Sequence, residues 1–256
     1  MEIKEKNEQK KNSNSKINDK QEENWYKKRE KHWESQEPTL VNVLGGFEES
    51  HLPDVKCSCE LLNGLILSHQ LKPGKALDCA AGIGRVTEFI LCKFFKEIDL
   101  FENNQKFVEK CKIKFKGNDK VKKIYTSSMQ DFKFESKYDL IWIQWCLENL
   151  EDEDLKPFLK KCYDNLNNDG IIIVKENLYN FEDDEEEGKT KKEQKEKDGT
   201  NNIEFKYNEL DFSKQRPDAF YINLFITNNF KIKLHFLNPN WPDNMMPVCV
   251  YVLSKK

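Results

Sequence analysis

The chain has little continuous apolar sequence. Its longest apolar stretch, residues 140–147 (LIWIQWCL), is far shorter than the roughly 20 residues that a membrane-spanning helix needs. The amino-terminal residues also lack the apolar segment of a secretory signal peptide. We therefore expect a soluble protein of the cytoplasm and nucleus, without a membrane partner.

The chain also lacks an excess of positive charge. It has 42 Lys and Arg residues against 45 Asp and Glu residues, a formal net charge of -3. Proteins that bind nucleic acid directly usually present strongly basic surfaces. The composition therefore gives no reason to expect direct contact with nucleic acid.

The spacing of a typical metal site is missing as well. Eight cysteines are scattered through 256 residues, several of them with apolar neighbours. Cys57 and Cys59 form a C-x-C pair, but no second pair or nearby histidine completes a metal site. We expect reduced, mostly buried thiols instead of a disulfide framework, and no bound metal.

Two segments are too polar to join a hydrophobic core. Residues 1–24 contain almost no apolar side chains, and an acidic block beginning at residue 181 runs into a mixed-charge stretch. Such segments cannot offset the entropy lost on ordering. We expect a disordered tail at 1–24 and a charged, disordered insertion at about 181–202. The rest of residues 25–256 has the size of one domain, which we expect to be monomeric.

Short apolar runs alternate with amphipathic stretches in the first part of this domain. Strands alternating with helices of this length predict a parallel sheet covered on both faces, an α/β fold. The predicted strands are 75–80, 97–102, 121–127, 138–145 and 170–177. The predicted helices are 83–95, 104–116 and 152–166. One more helix, at 218–229, and two closing strands, at 230–236 and 247–254, are expected after the insertion.

The end of the first predicted strand carries a glycine-bearing turn, ALDCAAGIGR at 76–85. In a parallel sheet, ligands bind outside the carboxyl ends of the strands. Glycine lets the backbone approach a ligand closely, and the following helix offers unpaired N–H groups. Glu102 ends the next strand, at about the distance where an acid binds ribose hydroxyls. The alternative is that the turn only connects two elements.

The spacing of small residues bears on which cofactor binds there. Ala80, Gly82 and Gly84 form an A-x-G-x-G pattern after an acid, whereas a dinucleotide site has G-x-G-x-x-G. Arg85 follows at once, and its guanidinium can bind a free carboxylate through two hydrogen bonds. S-adenosylmethionine has such a carboxylate. The turn therefore fits S-adenosylmethionine better than a nicotinamide cofactor.

Several segments together resemble the eukaryotic protein N-terminal methyltransferases. The most specific are IWIQW at 141–145 and PTLVNVLGGF at 38–47, and the similarity runs in order from about residue 25 to 254. The other matching segments are 32–37, 76–85, 129–132, 158–177 and 248–254. The resemblance implies a Rossmann-like class I methyltransferase. Its sheet has seven mostly parallel strands with helices on both faces, and an N-terminal helical extension covers the active site.

Members of this family methylate the α-amine of proteins that begin Xaa-Pro-Lys or Xaa-Pro-Arg. The resemblance therefore implies S-adenosylmethionine as cofactor, S-adenosylhomocysteine as product, and N-terminal tails of basic proteins as partners. It also implies the residues that hold the cofactor. The methionine part is expected at Ala80, Gly82 and Arg85, in the cofactor-binding turn that Gly84 completes. The ribose is expected at Glu102 and the adenine at Met129 and Gln130. Gln144 is expected beside the cofactor. The family has glycine at position 80 and aspartate at position 102.

The resemblance also implies an acceptor site. Its substrate-binding positions are Trp33, Leu44, Trp145, Asn177, Asn208 and Asp211, and its catalytic positions are Asp211, Asn177 and Asn149. The family has a histidine where this chain has Asn149, and an acid where it has Asn208. We expect Glu209, or the acidic block at 182–187, to substitute in part as the attraction for a basic substrate.

The missing histidine does not exclude catalysis. An α-amine has a pKa of about 8, so about a tenth is neutral at pH 7 and supplying the rest is worth only about 1.4 kcal/mol. Alignment of the reacting atoms can be worth roughly 7 to 11 kcal/mol. We expect positioning to dominate, with Asp211 or water removing the proton. The open alternatives are a class I methyltransferase for another amine, such as a small molecule or a lysine, and a catalytically weak binding protein.

Overall fold

The computed structural model describes residues 25–179 and 205–256. The predicted tail at 1–24 and the predicted insertion at 181–202 lie outside these residues. Within them, none of the helices combines the length and apolarity that crossing a bilayer requires.

A seven-stranded sheet organises the fold, in the order β3-β2-β1-β4-β5-β9-β8. The first five strands in that order pair in parallel, while β9 is antiparallel to both of its neighbours. These strands are β1 Lys75–Cys79, β2 Glu97–Glu102, β3 Val121–Thr126, β4 Tyr138–Gln144, β5 Leu166–Asn177, β8 Phe230–Leu237 and β9 Val248–Lys255. The predicted Rossmann-like class I methyltransferase sheet is therefore confirmed. A separate antiparallel pair, β6 Lys206–Tyr207 with β7 Lys214–Gln215, was not predicted.

Helices cover both faces of the sheet. They are α1 at 25–35, α2 Leu40–Val43, α3 His51–Leu67, α4 Cys92–Phe94, α5 Gln105–Lys114, α6 Asp152–Asn165 and α7 Asp218–Thr227. The predicted helix 83–95 begins two residues later than expected, and its centre, Thr87–Leu91, has π-helical hydrogen bonding. The other predicted helices form within a few residues of their expected ends.

The alternation of side chains along β1 and β4 divides the core into two layers. Leu77, Ile141 and Ile143 pack with apolar residues of α6 and α7 on one face. Ala76 and Trp142 pack with residues of α3 on the other. Successive side chains in a strand point to opposite faces, so a strand buried on both sides is mostly apolar. Trp142 is fully buried and belongs to the core.

The eight cysteines are all free and six of them are buried, which confirms the expected reduced thiols. The Nε2 of His235 lies 2.9 Å from Asp218 Oδ1, a residue 17 positions away. Strand β8 and helix α7 bring the pair together, and that long-range packing carries no local signal.

Candidate active site

A cavity of about 990 Å³ opens at the carboxyl ends of the central strands. It collects residues from five separate parts of the sequence, as the rule for ligand sites in parallel sheets predicts. Seven of the eight positions expected to hold the cofactor line it: Ala80, Gly82, Arg85, Glu102, Met129, Gln130 and Gln144. Trp33, Trp145 and Asn149 of the expected acceptor site line it too.

The turn after β1 contains three small residues with positive φ at alternate positions. Ala80 has φ +47°, Gly82 +56° and Gly84 +75°. Gly84 does not line the cavity, contrary to expectation. A Cβ there would lie 2.5 Å from the ring of Phe115, so this glycine allows the turn to pack against the end of α5. Ala80 holds a conformation that costs a non-glycine residue about 1 to 2 kcal/mol.

Asp78, at the end of β1, joins the strand to the helix that follows the turn. Its Oδ2 accepts hydrogen bonds from Thr87 N at 3.1 Å and Thr87 Oγ1 at 2.7 Å. Burial raises the pKa of Asp78 to about 6, against the lowering effect of the Thr87 bonds. The acid therefore anchors the turn, and it also lines the cavity.

Glu102, at the end of β2, organises the ribose side of the cavity. Its Oε2 accepts from Gly82 N at 2.9 Å and its Oε1 accepts from Asn104 N at 2.8 Å. Burial raises the pKa of this carboxyl, partly offset by these backbone hydrogen bonds. A carboxylate has about four lone-pair positions, so about two remain to accept hydroxyls. The residue thus shapes the turn and keeps the capacity to bind two hydroxyl groups.

A buried charge cluster lies beneath the cavity and was missed by the sequence analysis. Asp54 of α3 is fully buried and pairs with Arg85, whose Nη1 lies 2.8 Å from Asp54 Oδ2, and with the fully buried Lys175 of β5. Gln144 Nε2 donates to Asp54 Oδ1 at 2.9 Å. Burial alone would raise the pKa of Asp54, but Lys175 and Arg85 together hold it at about 2. Asp54 therefore remains charged at neutral pH.

This cluster explains how Arg85 and Gln144 are positioned beside the expected cofactor site. Each side chain is held in place by Asp54. Arg85 is also stacked over Trp145, with its guanidinium carbon 5.0 Å from the ring centroid. Because both residues still line the cavity, they contribute a fixed cationic and polar wall. No local sequence pattern identifies Asp54 as their partner.

The other side of the cavity is covered by α1. Tyr26 accepts a hydrogen bond from Glu151 N at 2.9 Å, and Arg29 donates to the carbonyl of Asn149. At the far end of the helix, Asn104 Nδ2 donates to Trp33 O at 2.8 Å. The N-terminal helical extension thus lies over the site, as expected from the resemblance. Tyr26 and Arg29 line the cavity and were missed by the sequence analysis.

Met129 and Gln130 lie where the adenine was expected. Met129 is buried against the apolar layer that contains Phe101 and Phe132. Lys161 Nζ donates to the carbonyls of Met129 and Gln130, at 3.1 and 2.7 Å. These bonds fix the backbone of the segment, while Met129 offers the cavity an apolar side chain.

Trp145 lies at the junction between the cofactor side and the acceptor side. It follows β4 directly and has φ +53°, an uncommon conformation for a bulky residue. Its Nε1 is buried without a hydrogen-bond partner among the described residues. Strained residues and unpaired buried polar atoms in native proteins concentrate at functional sites. Trp145 therefore belongs to the cleft, as expected.

The expected catalytic asparagines have different surroundings. Asn149 Nδ2 donates to Trp145 O at 3.1 Å, so its amide supports the strained turn. Asn177 ends β5, and its Nδ2 lies 3.4 Å from Glu148 Oε2. Burial, and then the nearby Asp211, raise the pKa of Glu148 to about 7. The sequence analysis did not identify Glu148 as a site residue, because it lies in a charged stretch that is typical of the start of an ordinary helix.

The remaining acceptor positions lie outside the cavity lining. Asn208 Oδ1 accepts from Leu210 N at 3.0 Å, and Asp211 Oδ1 accepts from Ser213 N at 2.9 Å, so both side chains cap the turn between β6 and β7. Asp211 nevertheless lies close enough to affect the pKa values of Glu148 and Arg29. Glu209 is exposed in the same turn, and Leu44 is buried at the end of α2.

The cavity residues fit S-adenosylmethionine. Glu102 retains acceptor capacity for the ribose, Met129 supplies an apolar surface for the base, and Arg85 supplies a cation for the carboxylate. The buried Nε1 of Trp145 is a donor without a partner among the described residues. This donor set matches the parts of that molecule, and none of it resembles a metal-ligand set.

Comparison with solved structures bears out the fold. A S-adenosylmethionine-dependent methyltransferase from Leishmania major superposes with a TM-score of 0.77 at 28% sequence identity, covering 90% of this chain and 83% of that one. A glycopeptide N-methyltransferase complexed with S-adenosylmethionine shares the fold alone, with a TM-score of 0.55 at 11% identity over 78% of this chain and 94% of that one. Fold and site together define a class I S-adenosylmethionine-dependent methyltransferase.

Sequence comparison narrows the class further. The family described as AdoMet dependent proline di-methyltransferase matches residues 21–198, and the chain belongs to that family. The alpha N-terminal protein methyltransferase 1 of Dictyostelium discoideum is 36% identical over 243 residues, which are 93% of this chain and 82% of that protein. The human N-terminal Xaa-Pro-Lys N-methyltransferase 1 is 34% identical over 162 residues, 61% of this chain and 72% of that protein.

Proposed function

We propose that this enzyme transfers a methyl group from S-adenosylmethionine to the α-amine of protein N-termini that begin Xaa-Pro-Lys or Xaa-Pro-Arg. The names of the relatives support this substrate class. The observation that carries the proposal is the continuity of the site. Trp145 and Asn149 line the cofactor cavity, and Glu148 lies between them in the sequence. The cofactor cavity and the acidic acceptor side are therefore adjacent.

The described residues bind and orient both reactants. S-adenosylmethionine supplies a methyl carbon on a positively charged sulfur. Glu102 would hold the ribose of the cofactor and Arg85 its carboxylate, while Trp33 and Trp145 form the walls beside the approaching amine. Because alignment can supply roughly 7 to 11 kcal/mol, these positioning residues carry more of the rate than proton removal does.

Negative charge on the acceptor side suits a basic substrate. Glu148 and Asp211 lie near each other, and Glu209 is exposed in the turn that carries Asp211. The cations nearest this group are Arg29 and Arg216, and Arg216 is already paired with Asp152. The group therefore attracts the ammonium of a protein N-terminus and the basic residue in third position.

The test is a peptide assay read by mass spectrometry. A peptide beginning Ser-Pro-Lys should gain methyl groups at its α-amine when incubated with the full chain and S-adenosylmethionine. The same peptide with an acetylated N-terminus should gain none, although its lysine side chain is intact. Equal modification of both peptides would favour a lysine or another amine as the acceptor and would overturn the proposal.

A further inference from the structure

The short 3-10 helix after β4, Leu147–Asn149, places a buried acid beside the acceptor side of the site. Glu148 lies between Cys146 and Asn149, which both line the cofactor cavity. Its side chain is only 7% exposed, and its Oε2 faces the Nδ2 of Asn177 at 3.4 Å. That distance leaves the carboxylate weakly bound, so most of its acceptor capacity is unused.

A second buried carboxyl lies next to it. Glu176, the residue before Asn177, is fully buried, and its Oε1 accepts from Cys146 N at 3.0 Å and Leu147 N at 2.8 Å. Its Oε2 has no hydrogen-bond partner among the described residues. Burial, and then the proximity of Glu148, raise the pKa of Glu176 well above its ordinary value. Because Glu176 already accepts from two backbone N–H groups, Glu148 is the member of the pair whose carboxyl group is available to a substrate.

Charged groups face Glu148 from every element around it. Asp211, from the turn between β6 and β7, opposes its ionisation, while Arg216 and Arg29 favour it. Arg216 is committed, because it donates to Asp152 Oδ1 and to the carbonyls of Leu147 and Leu150. Arg29, from α1, donates to the carbonyl of Asn149 and not to the carboxylate.

Two uncharged titratable groups complete these surroundings. The Cys146 thiol and the Tyr221 hydroxyl are both buried beside the acid pair, which helps to raise their pKa values. Neither carries charge at neutral pH. Glu148 therefore lacks a hydrogen-bonded cation among the described residues, and the ammonium group of a substrate would supply one.

We propose that Glu148 contacts the α-ammonium of the substrate and accepts its proton before methyl transfer, a role that rests on the function proposed above. The N–H bond breaks and an O–H bond forms, so that Glu148 becomes a neutral acid and the amine a neutral nucleophile. The amine nitrogen then forms a bond to the methyl carbon as the bond from that carbon to sulfur breaks. The acid afterwards releases its proton to solvent. Asn149 has no basic atom that could do this.

The pKa of the substrate's α-amine determines how much a proton acceptor can raise the rate. With a pKa of about 8, an α-amine is about one-tenth neutral at pH 7 and almost wholly neutral at pH 9.5. A proton acceptor can therefore raise the rate by about tenfold at pH 7 and by almost nothing at pH 9.5. A role limited to supporting the fold would affect both pH values equally.

The decisive variant is Glu148→Gln, which keeps the shape of the side chain and removes its basic oxygen. We expect kcat/KM for the Ser-Pro-Lys peptide to fall about tenfold at pH 7 and less than about twofold at pH 9.5. Glu148→Asp should retain part of the pH 7 activity. Glu153→Gln, an exposed acid at the start of α6, is the matched control and should leave both values unchanged.

Two further measurements separate the possible failures. Calorimetry should show the same affinity for S-adenosylhomocysteine in Glu148→Gln as in the wild type, because Glu148 does not line the cofactor cavity. A loss of activity that is equal at both pH values, or no loss at pH 7, would overturn this role for Glu148. Wild-type protein that fails to methylate the free peptide would instead overturn the proposed function.

Discussion

The two sides of the active site are built on different principles. On the cofactor side, three polar side chains that line the cavity have partners within the protein. Glu102 holds two backbone N–H groups, and Arg85 and Gln144 are held by Asp54. On the acceptor side, Glu148 has one long contact, to Asn177, and Glu176 has a carboxyl oxygen without a partner among the described residues.

The difference suits the two ligands. A cofactor that is the same in every reaction cycle is bound best by a wall whose geometry is fixed before binding, since little ordering is then lost. A protein N-terminus arrives as a cation and must become neutral before it reacts. Buried acids with pKa values near neutrality suit that change of charge, because their charge can follow that of the substrate.

The largest expected effect is on stability, and it concerns the buried charge cluster that holds Arg85 and Gln144 at the cofactor side. Asp54→Asn removes the acid that neutralises Lys175 and Arg85, and breaking such a buried pair costs about 3 to 5 kcal/mol. We expect the free energy of unfolding, measured by urea denaturation, to fall by about 3 kcal/mol or more. Glu60→Gln, an exposed acid of the same helix, should leave it unchanged.

The same cluster has a pH signature. The pKa of Asp54 is about 2 in the folded protein, below the ordinary value of 3.8. A lowered pKa in an acid stabilises the fold above the unfolded-state pKa and loses that contribution as the pH falls toward the folded-state value. Wild-type stability should therefore decline between about pH 4 and pH 2 more steeply than that of Asp54→Asn. Parallel curves would show that Asp54 does not hold this charge.

A second prediction separates the two sides of the site by affinity. Glu102→Gln removes the charge that we expect to bind the ribose, and hydrogen bonds to charged groups contribute about 1.5 to 3 kcal/mol. Calorimetry should show S-adenosylmethionine binding weakened by roughly 10- to 100-fold. The matched control is Glu97→Gln, an exposed acid at the other end of the same strand. An unchanged affinity in Glu102→Gln would place the ribose elsewhere.

A third prediction addresses the acceptor side alone. Asp211→Asn keeps the oxygen that accepts from Ser213 N but loses the charge near Glu148. We expect kcat/KM for the Ser-Pro-Lys peptide to fall by about tenfold at pH 7, because negative charge that attracts the cationic substrate is lost, with S-adenosylmethionine affinity unchanged. Restoring histidine at position 149 should raise the rate only modestly. Unchanged kinetics in Asp211→Asn would remove this residue from the mechanism.

The contrast between the two sides also explains what the sequence could predict. Ala80, Gly82 and Glu102 are recognisable because they stand at fixed offsets along one βαβ unit, where local spacing determines where each residue lies. Asp54 and Lys175 are 121 residues apart, and only the packing of α3 on the sheet brings them together. Glu148 carries no signal of its own, because an acid before a helix usually faces solvent. Its burial depends on Asn177, Glu176 and α1, which arrive from distant parts of the chain.

The smallest expected effect concerns the turn that the two sides share. Ala80 has φ +47°, which glycine adopts without strain. Ala80→Gly should therefore stabilise the protein by about 1 kcal/mol, measured by urea denaturation, and should not weaken S-adenosylmethionine binding. Ala81→Gly is the matched control, since Ala81 does not have positive φ. It should lose about 0.4 to 1 kcal/mol by making the unfolded chain more flexible. Loss of stability in both variants would show that the Ala80 methyl group makes favourable packing contacts, and that these contacts outweigh the strain of its positive φ.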